Sequence, residues 1–163
     1  MLQQLKQGGH RLRVEWFGNI YDKNNNINPH YKHFVQLVEK YDIAHMIGLN
    51  NHIKDVASVM QQFDAICLPS LHEGWSNALS EAICSGRPML VSDVSDNSVM
   101  VKEGINGYLF DPNDVDSMCN AFVKFLNLSP NQRQEMGRMS RTIAETLFDA
   151  NTFVEKYIHL IED

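Results

Sequence analysis

Cysteine is scarce in this chain and odd in number. Cys67, Cys84 and Cys119 are scattered through apolar strand or helix patterns, which excludes a disulfide framework and suits reduced core thiols. None has metal-ligand spacing, and the seven histidines form no paired ligand motif. His30 and His33 stand three apart and read as a solvated helix face. A basic surplus is also missing. Lys and Arg number 14 against 20 Asp and Glu, a net charge of −6, so nucleic acid is not the expected partner. No apolar run approaches the roughly 18 residues of a membrane span, and no stretch reads as a signal peptide. The chain is therefore expected not to cross a membrane. It shows no internal repeat, low-complexity tract or interdomain linker.

What the chain does have is 163 residues, 44% of them hydrophobic. That is the scale of one domain with a real core. Strand and helix patterns alternate, which predicts an α/β fold with a parallel sheet covered on both faces. Helix is expected at Leu2–Gln7, Tyr31–Tyr41 and Ile53–Phe63. Strands are expected at Leu12–Phe17, His45–Leu49, Phe63–Leu68 and Met89–Ser92. Tyr21–Pro29, with three Asn in a row, reads as a polar loop. The end of the chain reads as helical. Asp111-Pro112-Asn113-Asp114 reads as a cap with proline in the first turn, leading into Val115–Leu126. Ser129-Pro130-Asn131-Gln132 has capping-box form, and Thr152–Ile161 closes the pattern.

The most informative stretch runs from Pro69 to Pro88. The apolar run ending at Leu68 stops at Pro69, as a buried parallel strand does. Pro69–Gly74 is then a loop at a strand's carboxyl end, where open α/β sheets bind ligands. Helix should start near Ser76 and end at Gly86 and Pro88. Its apolar stripe is Ala78, Leu79, Ala82 and Ile83, with Asn77 and Glu81 together on the more polar flank. Glu73 stands at the helix mouth and Glu81 inside it. Free N–H groups between them suit a phosphate, and carboxylates suit sugar hydroxyls. The helix is expected to be well buried, so Glu81 would need a partner such as a bound diol. On spacing alone the favoured reading is the plainer one, Glu73 as a cap or helix-dipole complement and Glu81 as a solvated flank; the neighbouring sequence raises the other.

This stretch resembles the donor-binding half of family-4, GT-B-fold, retaining glycosyltransferases. The shared pattern is Pro69, Ser70, Glu73, Gly74, Trp75, Glu81, Ala82, Gly86 and Pro88. It continues through Ser92-Asp93-Val94, Asn97 and Gly104–Phe110, with Ile47-Gly48 upstream. The resemblance covers roughly Leu12 to Phe125. It implies one half of a GT-B fold: a Rossmann-like parallel sheet with a helical C-terminus. It also implies a hexosyltransferase that uses a nucleotide diphosphate sugar as donor and needs no separate cofactor or metal. Glu73 falls where the family contacts the transferred sugar near the reacting carbon. Gly74, Trp75, Ser76 and Asn77 fall on the amides that meet the sugar and diphosphate, with the Leu79 amide on the phosphate side. Glu81 falls on the ribose contact, and Ile53 on the turn that touches the base. The acceptor would be a hydroxyl of a glycan or glycolipid, held by a separate N-terminal domain. Cytoplasmic polysaccharide or glycolipid assembly follows, with room for peripheral contact of the full enzyme with the inner face of a membrane.

Departures from the pattern shape the expectations. The family's first strand and its Arg–Lys diphosphate clamp have no counterpart here. Gly18-Asn19-Ile20 lacks the second glycine of the usual turn, and Val99 stands where a glutamate is common. Residues 1–163 are therefore expected to form a single donor-binding domain without its first strand or acceptor domain, inactive alone. Lys54, Arg87 and Lys102 are candidates for holding a diphosphate, and His72 could tune Glu73. Asp114-Val115-Asp116 could hold a metal elsewhere, but in a first helical turn it reads as a cap. Two other readings stand beside the transferase. One is a sugar-nucleotide epimerase; the other is a non-catalytic nucleotide-binding or receiver-like module, which the lack of acids after Phe17 disfavours.

Overall fold

A computed structural model describes residues 1–22 and 24–162, apart from the side chains of 156 and 162. It divides into two compact units, Met1–Val56 and Ala57–Asp163. The fold is α/β with every strand pair of its two sheets parallel, as expected.

The first unit contains α1 (Leu2–Gln7), β1 (Val14–Phe17), α2 (Pro29–Lys40) and β2 (Ile47–Asn50). β1 and β2 pair from Val14↔Ile47 to Phe17↔Asn50. α2 starts two residues earlier than its apolar spacing indicated. Asn28 caps it by accepting the His30 N–H at 2.9 Å, and Pro29 occupies the first helical position, where a missing N–H costs nothing. Val38 on α2, with Leu2, Ile43, Met46 and Ile47, forms the buried cluster of this unit. The polar loop after β1 carries an antiparallel bridge between Tyr21 and Ile27; its Lys23 lies outside the described residues.

The second unit opens with α3 (Val56–Met60), which straddles the division between the units. It is much shorter than the expected Ile53–Phe63. Then come β3 (Ile66–Leu68), α4 (Asn77–Cys84), β4 (Met89–Ser92), α5 (Asn97–Met100) and β5 (Gly107–Phe110). The strand order is β3-β4-β5. The central strand β4 is buried at all four positions, whereas the edge strand β3 is only half-buried. The expectation of a fully buried strand thus belongs to β4.

β5 and the short α5 were not expected as elements. β5 opens on Gly107 and has only Tyr108 and Phe110 as strand-favouring residues, in a run of four too short to stand out. Its glycine has a steric cause: a Cβ there would meet the Met89 carbonyl oxygen at 2.2 Å.

Three helices close the chain: α6 (Val115–Leu126), α7 (Pro130–Leu147) and α8 (Ala150–Glu162). Asp114 caps α6 through the Asp116 N–H at 2.9 Å. Pro112 therefore precedes the helix and is not in its first turn. α7 starts with the expected capping box: Ser129 Oγ accepts the Gln132 N–H, and the Gln132 side chain accepts the Ser129 N–H. Leu79, Ala82, Ile83, Met89, Val91 and Met100 are completely shielded and form the core between α4, β4 and α5. α7 braces α4. A Cβ on Gly137 would lie 2.5 Å from the Gly86 carbonyl oxygen, and Ser140 Oγ donates to the Arg87 carbonyl at 2.8 Å.

Candidate donor-binding site

Chain direction places the candidate residues. β3 ends at Leu68, the loop Pro69–Ser76 leaves its carboxyl end, and α4 follows. Ser76 is the N-cap of α4. It is buried, extended at φ −78° and ψ 112°, and its Oγ accepts the Leu79 N–H at 3.3 Å. The Leu79 amide, assigned to the phosphate side, is therefore occupied by the cap. Among the described residues, the amides of Gly74, Trp75, Asn77 and Ala78 have no acceptor. Those are the orphan donors that a helix start presents to an anion. A Cβ on Gly74 would have nothing within 4 Å, so the loop is open at that point.

Glu73 is held from two directions. Ser70 Oγ–H donates to its Oε1 at 2.6 Å. Ser95 Oγ–H, from the loop after β4, donates to its main-chain carbonyl oxygen. Ser95 adopts φ +50°, a left-handed conformation that non-glycine residues adopt at a cost. The loop carrying it is tied down by the fully buried Asn97, whose Nδ2 donates to the Ser92 carbonyl at 2.9 Å. Sequence reasoning missed Ser95. Its position in Ser95-Asp96-Asn97-Ser98 marks a turn but gives no sign of a contact 22 residues away.

Glu81 departs from expectation. It is exposed, and no hydrogen bond or ion pair engages its side chain among the described residues. The helix is buried only along Leu79, Ala82 and Ile83; Ala78, expected in that stripe, is exposed. A glutamate at position 81 therefore has water or a ligand for its partner. Asn77 is exposed as well, one turn before Glu81. Trp75 is half-exposed and meets Phe148 edge-on, with ring centroids 6.4 Å apart. His72 is exposed on the same loop. Ile53 is half-buried in the first unit, between β2 and α3 and outside either.

The basic candidates are placed differently. Arg87 precedes β4, at the opposite end of the strand from the Glu73 loop, and donates to the Gln61 carbonyl. Lys102 Nζ donates to the Ser98 carbonyl at 2.8 Å. Two formed cavities lie elsewhere than Glu73 and Glu81. One, of about 430 Å³, is bordered by Asp93, Phe110, Asp111 and Ser117. The other, of about 490 Å³, lies at the amino ends of β3 and β4. Among the described residues, no three His, Cys, Asp or Glu side chains are grouped to hold a metal ion. No helix of the described residues is long and apolar enough to cross a membrane.

Parallel strands, a helix-start amide row after β3 and a pinned acid beside it make a Rossmann-like strand-loop-helix layout. Comparison gives that layout a family. The model of the family described as "Glycosyl transferases group 1" matches residues 3–142, and the chain belongs to that family. It is 39% identical over 79 residues to the Escherichia coli UDP-Gal:alpha-D-GlcNAc-diphosphoundecaprenol alpha-1,3-galactosyltransferase, covering 48% of this chain and 20% of that protein. It is 29% identical over 136 residues to Protein CapJ of Staphylococcus aureus, covering 78% of this chain and 34% of that one. The chain thus spans a fifth to about a third of the length of these relatives. Among solved structures, Anabaena Alr3699/HepE in complex with UDP superposes with a TM-score of 0.83 at 16% identity, over 99% of this chain and 44% of that one. The fold is thereby one Rossmann-like half of a GT-B glycosyltransferase.

Proposed function

We propose that this chain is the donor-binding half of a retaining glycosyltransferase. The enzyme would move a hexose from a nucleotide diphosphate sugar to a hydroxyl of a glycan or glycolipid acceptor, in polysaccharide or glycolipid assembly. The observation that carries this reading is the row of unaccepted amides at Gly74, Trp75, Asn77 and Ala78, set beside a Glu73 that two serines hold.

In the reaction the sugar carbon gains oxocarbenium character as negative charge grows on the departing diphosphate. Amides already oriented toward that charge stabilise it without reorganising. Glu73 orients the sugar hydroxyls and favours the positive carbon; the Ser70 hydrogen bond fixes which oxygen is free to do so. The open flank at Gly74 lets the sugar approach the main chain. Glu81, exposed and unengaged, accepts from the two ribose hydroxyls. The Leu79 amide joins the phosphate contacts only if the Ser76 hydroxyl turns away, so its role is secondary. Ile53 is assigned to the base contact. Charge on the diphosphate is balanced by these amides, and no metal ion is invoked. The acceptor-binding half is assigned outside these 163 residues. Nucleotide sugars as donors fit a cytoplasmic enzyme, with the full-length protein against the inner face of a membrane. Family membership favours this reading over a sugar-nucleotide epimerase.

Saturation-transfer NMR with a panel of nucleoside diphosphates tests the assignment. One nucleoside diphosphate should show saturation at its ribose protons, and Glu81→Ala should weaken its binding about tenfold or more, the loss of its charge-assisted contacts to the ribose. Equal binding by wild type and Glu81→Ala would remove Glu81 from the site. No binding of any nucleotide at millimolar concentration would refute the donor-site assignment.

A further inference from the structure

All four arginines of the second unit line one groove. Arg87, Arg133, Arg138 and Arg141 border the cavity of about 490 Å³, with Asp64 as the one acidic residue in its lining. The groove lies where the chain enters β3 and β4, the end of these strands away from Glu73. Gly86 and Gly137 leave part of its wall without side chains.

Helix ends account for part of this gathering. Arg87 donates to the Gln61 carbonyl just after α3. Arg141 Nη1 donates to the Cys84 carbonyl at the end of α4 at 2.9 Å, and Arg133 Nη2 to the Leu126 carbonyl at the end of α6 at 2.8 Å. Arg141 Nε also meets Glu145 at 2.8 Å, and Arg138 Nη1 lies 3.2 Å from Glu135. Each guanidinium carries five N–H donors, so these contacts leave most of them unused. Three buried side-chain polar atoms lack a partner among the described residues, and two are Nε of Arg87 and Nε of Arg133. An unmet buried donor is costly. Both atoms are shielded from solvent, so the donors open to an acceptor from outside the chain are the unengaged Nη groups of the arginines that line the groove. Arginine forks match the paired oxygens of phosphate, where a lysine presents only a point charge; no lysine lines this groove.

We propose that this groove binds a phosphate group, either as inorganic phosphate or as a phosphomonoester. The site is separate from the donor diphosphate, because the two lie at opposite ends of the same strands. In a chain of net charge −6 it concentrates arginine locally.

The test is a titration of the 163-residue chain with inorganic phosphate at low ionic strength, followed by amide and arginine Nε–H resonances. Saturable shifts are expected at Arg87, Arg133 and the Gly137 amide, with Gly74 and Trp75 unmoved. The double variant R138Q/R141Q, at two exposed side chains, should weaken phosphate about tenfold or more. R138K/R141K, which keeps the charge and loses the fork, should fall between it and wild type. Sedimentation with phosphatidylcholine vesicles doped with phosphatidic acid distinguishes the sources. Sedimentation that free phosphate competes away assigns a lipid headgroup; saturable phosphate binding without sedimentation assigns a soluble phosphate. Shifts confined to Gly74 and Trp75, no shifts at all, or unchanged affinity in R138Q/R141Q would overturn the proposal.

Discussion

Replacing Gly137 by alanine sets two effects of known size against each other. Within α7, alanine is favoured over glycine by about 1 kcal/mol. Against that, the added Cβ would sit 2.5 Å from the Gly86 carbonyl oxygen. The obstacle is main chain, at a residue held at φ +69° where α4 ends. It cannot rotate away like the tip of a side chain. Overpacking of this kind costs about 1–3 kcal/mol, and a main-chain obstacle places it near the upper figure. The clash wins, leaving a net loss of about 1–2 kcal/mol. For a chain of this length that lowers the melting temperature by about 2–8 °C. Differential scanning calorimetry of Gly137→Ala against wild type measures it. Gln134→Ala, one turn earlier and exposed, supplies the control and should be neutral or slightly stabilising. If Gly137→Ala melts at or above the wild-type temperature, α7 does not approach α4 as described, and the bracing of the site helix is wrong.

Four further outcomes are expected. Asn106→Ala removes a fully buried side chain that accepts the Lys102 N–H at 2.7 Å and donates to the Met100 carbonyl at 3.0 Å; urea unfolding should register a loss of about 2–4 kcal/mol. Ser76→Ala removes the cap of α4 and should cost about 1 kcal/mol by the same assay. Hydrogen bonds from Arg13 and Asn50 hold the Glu15 carboxyl below its ordinary value, so its stabilisation is present above the usual glutamate pKa of about 4.3 and disappears as pH falls through the lower folded value. The gap in urea midpoint between wild type and Glu15→Gln should close over that acidic window; a gap independent of pH would contradict the pairing. Burial pushes the Cys67 thiol up to about 12, so iodoacetamide at pH 8 should leave Cys67 unmodified in the native chain and label it in urea.

Alternation of apolar runs and helical spacing carried most of the architecture, because those signals are local. Val115–Leu126 and Met89–Ser92 lie where the pattern puts them. β5 escaped because its pairing partner β4 defines it, and Gly107 answers a steric demand visible only across the sheet. α3 ran short because amphipathic spacing does not report where tertiary contacts stop supporting a helix. At the site, the loop and the helix start near Ser76 were legible as turn and breaker chemistry, whereas the cap that Ser76 itself makes was not read. The Ser95 contact to Glu73 was not, since it joins loops from neighbouring strands. Nor was the exposure of Glu81, which depends on how narrow the buried stripe of α4 is.

Strand β4 is shielded along its whole length, while the segments Pro69–Gly74 and Asp93–Asp96, leaving the carboxyl ends of β3 and β4, are largely open to water. Changes in those two segments therefore leave the apolar slab beneath them intact. If these loops hold the sugar as proposed, its selection and the stability of the chain can diversify as nearly separate traits.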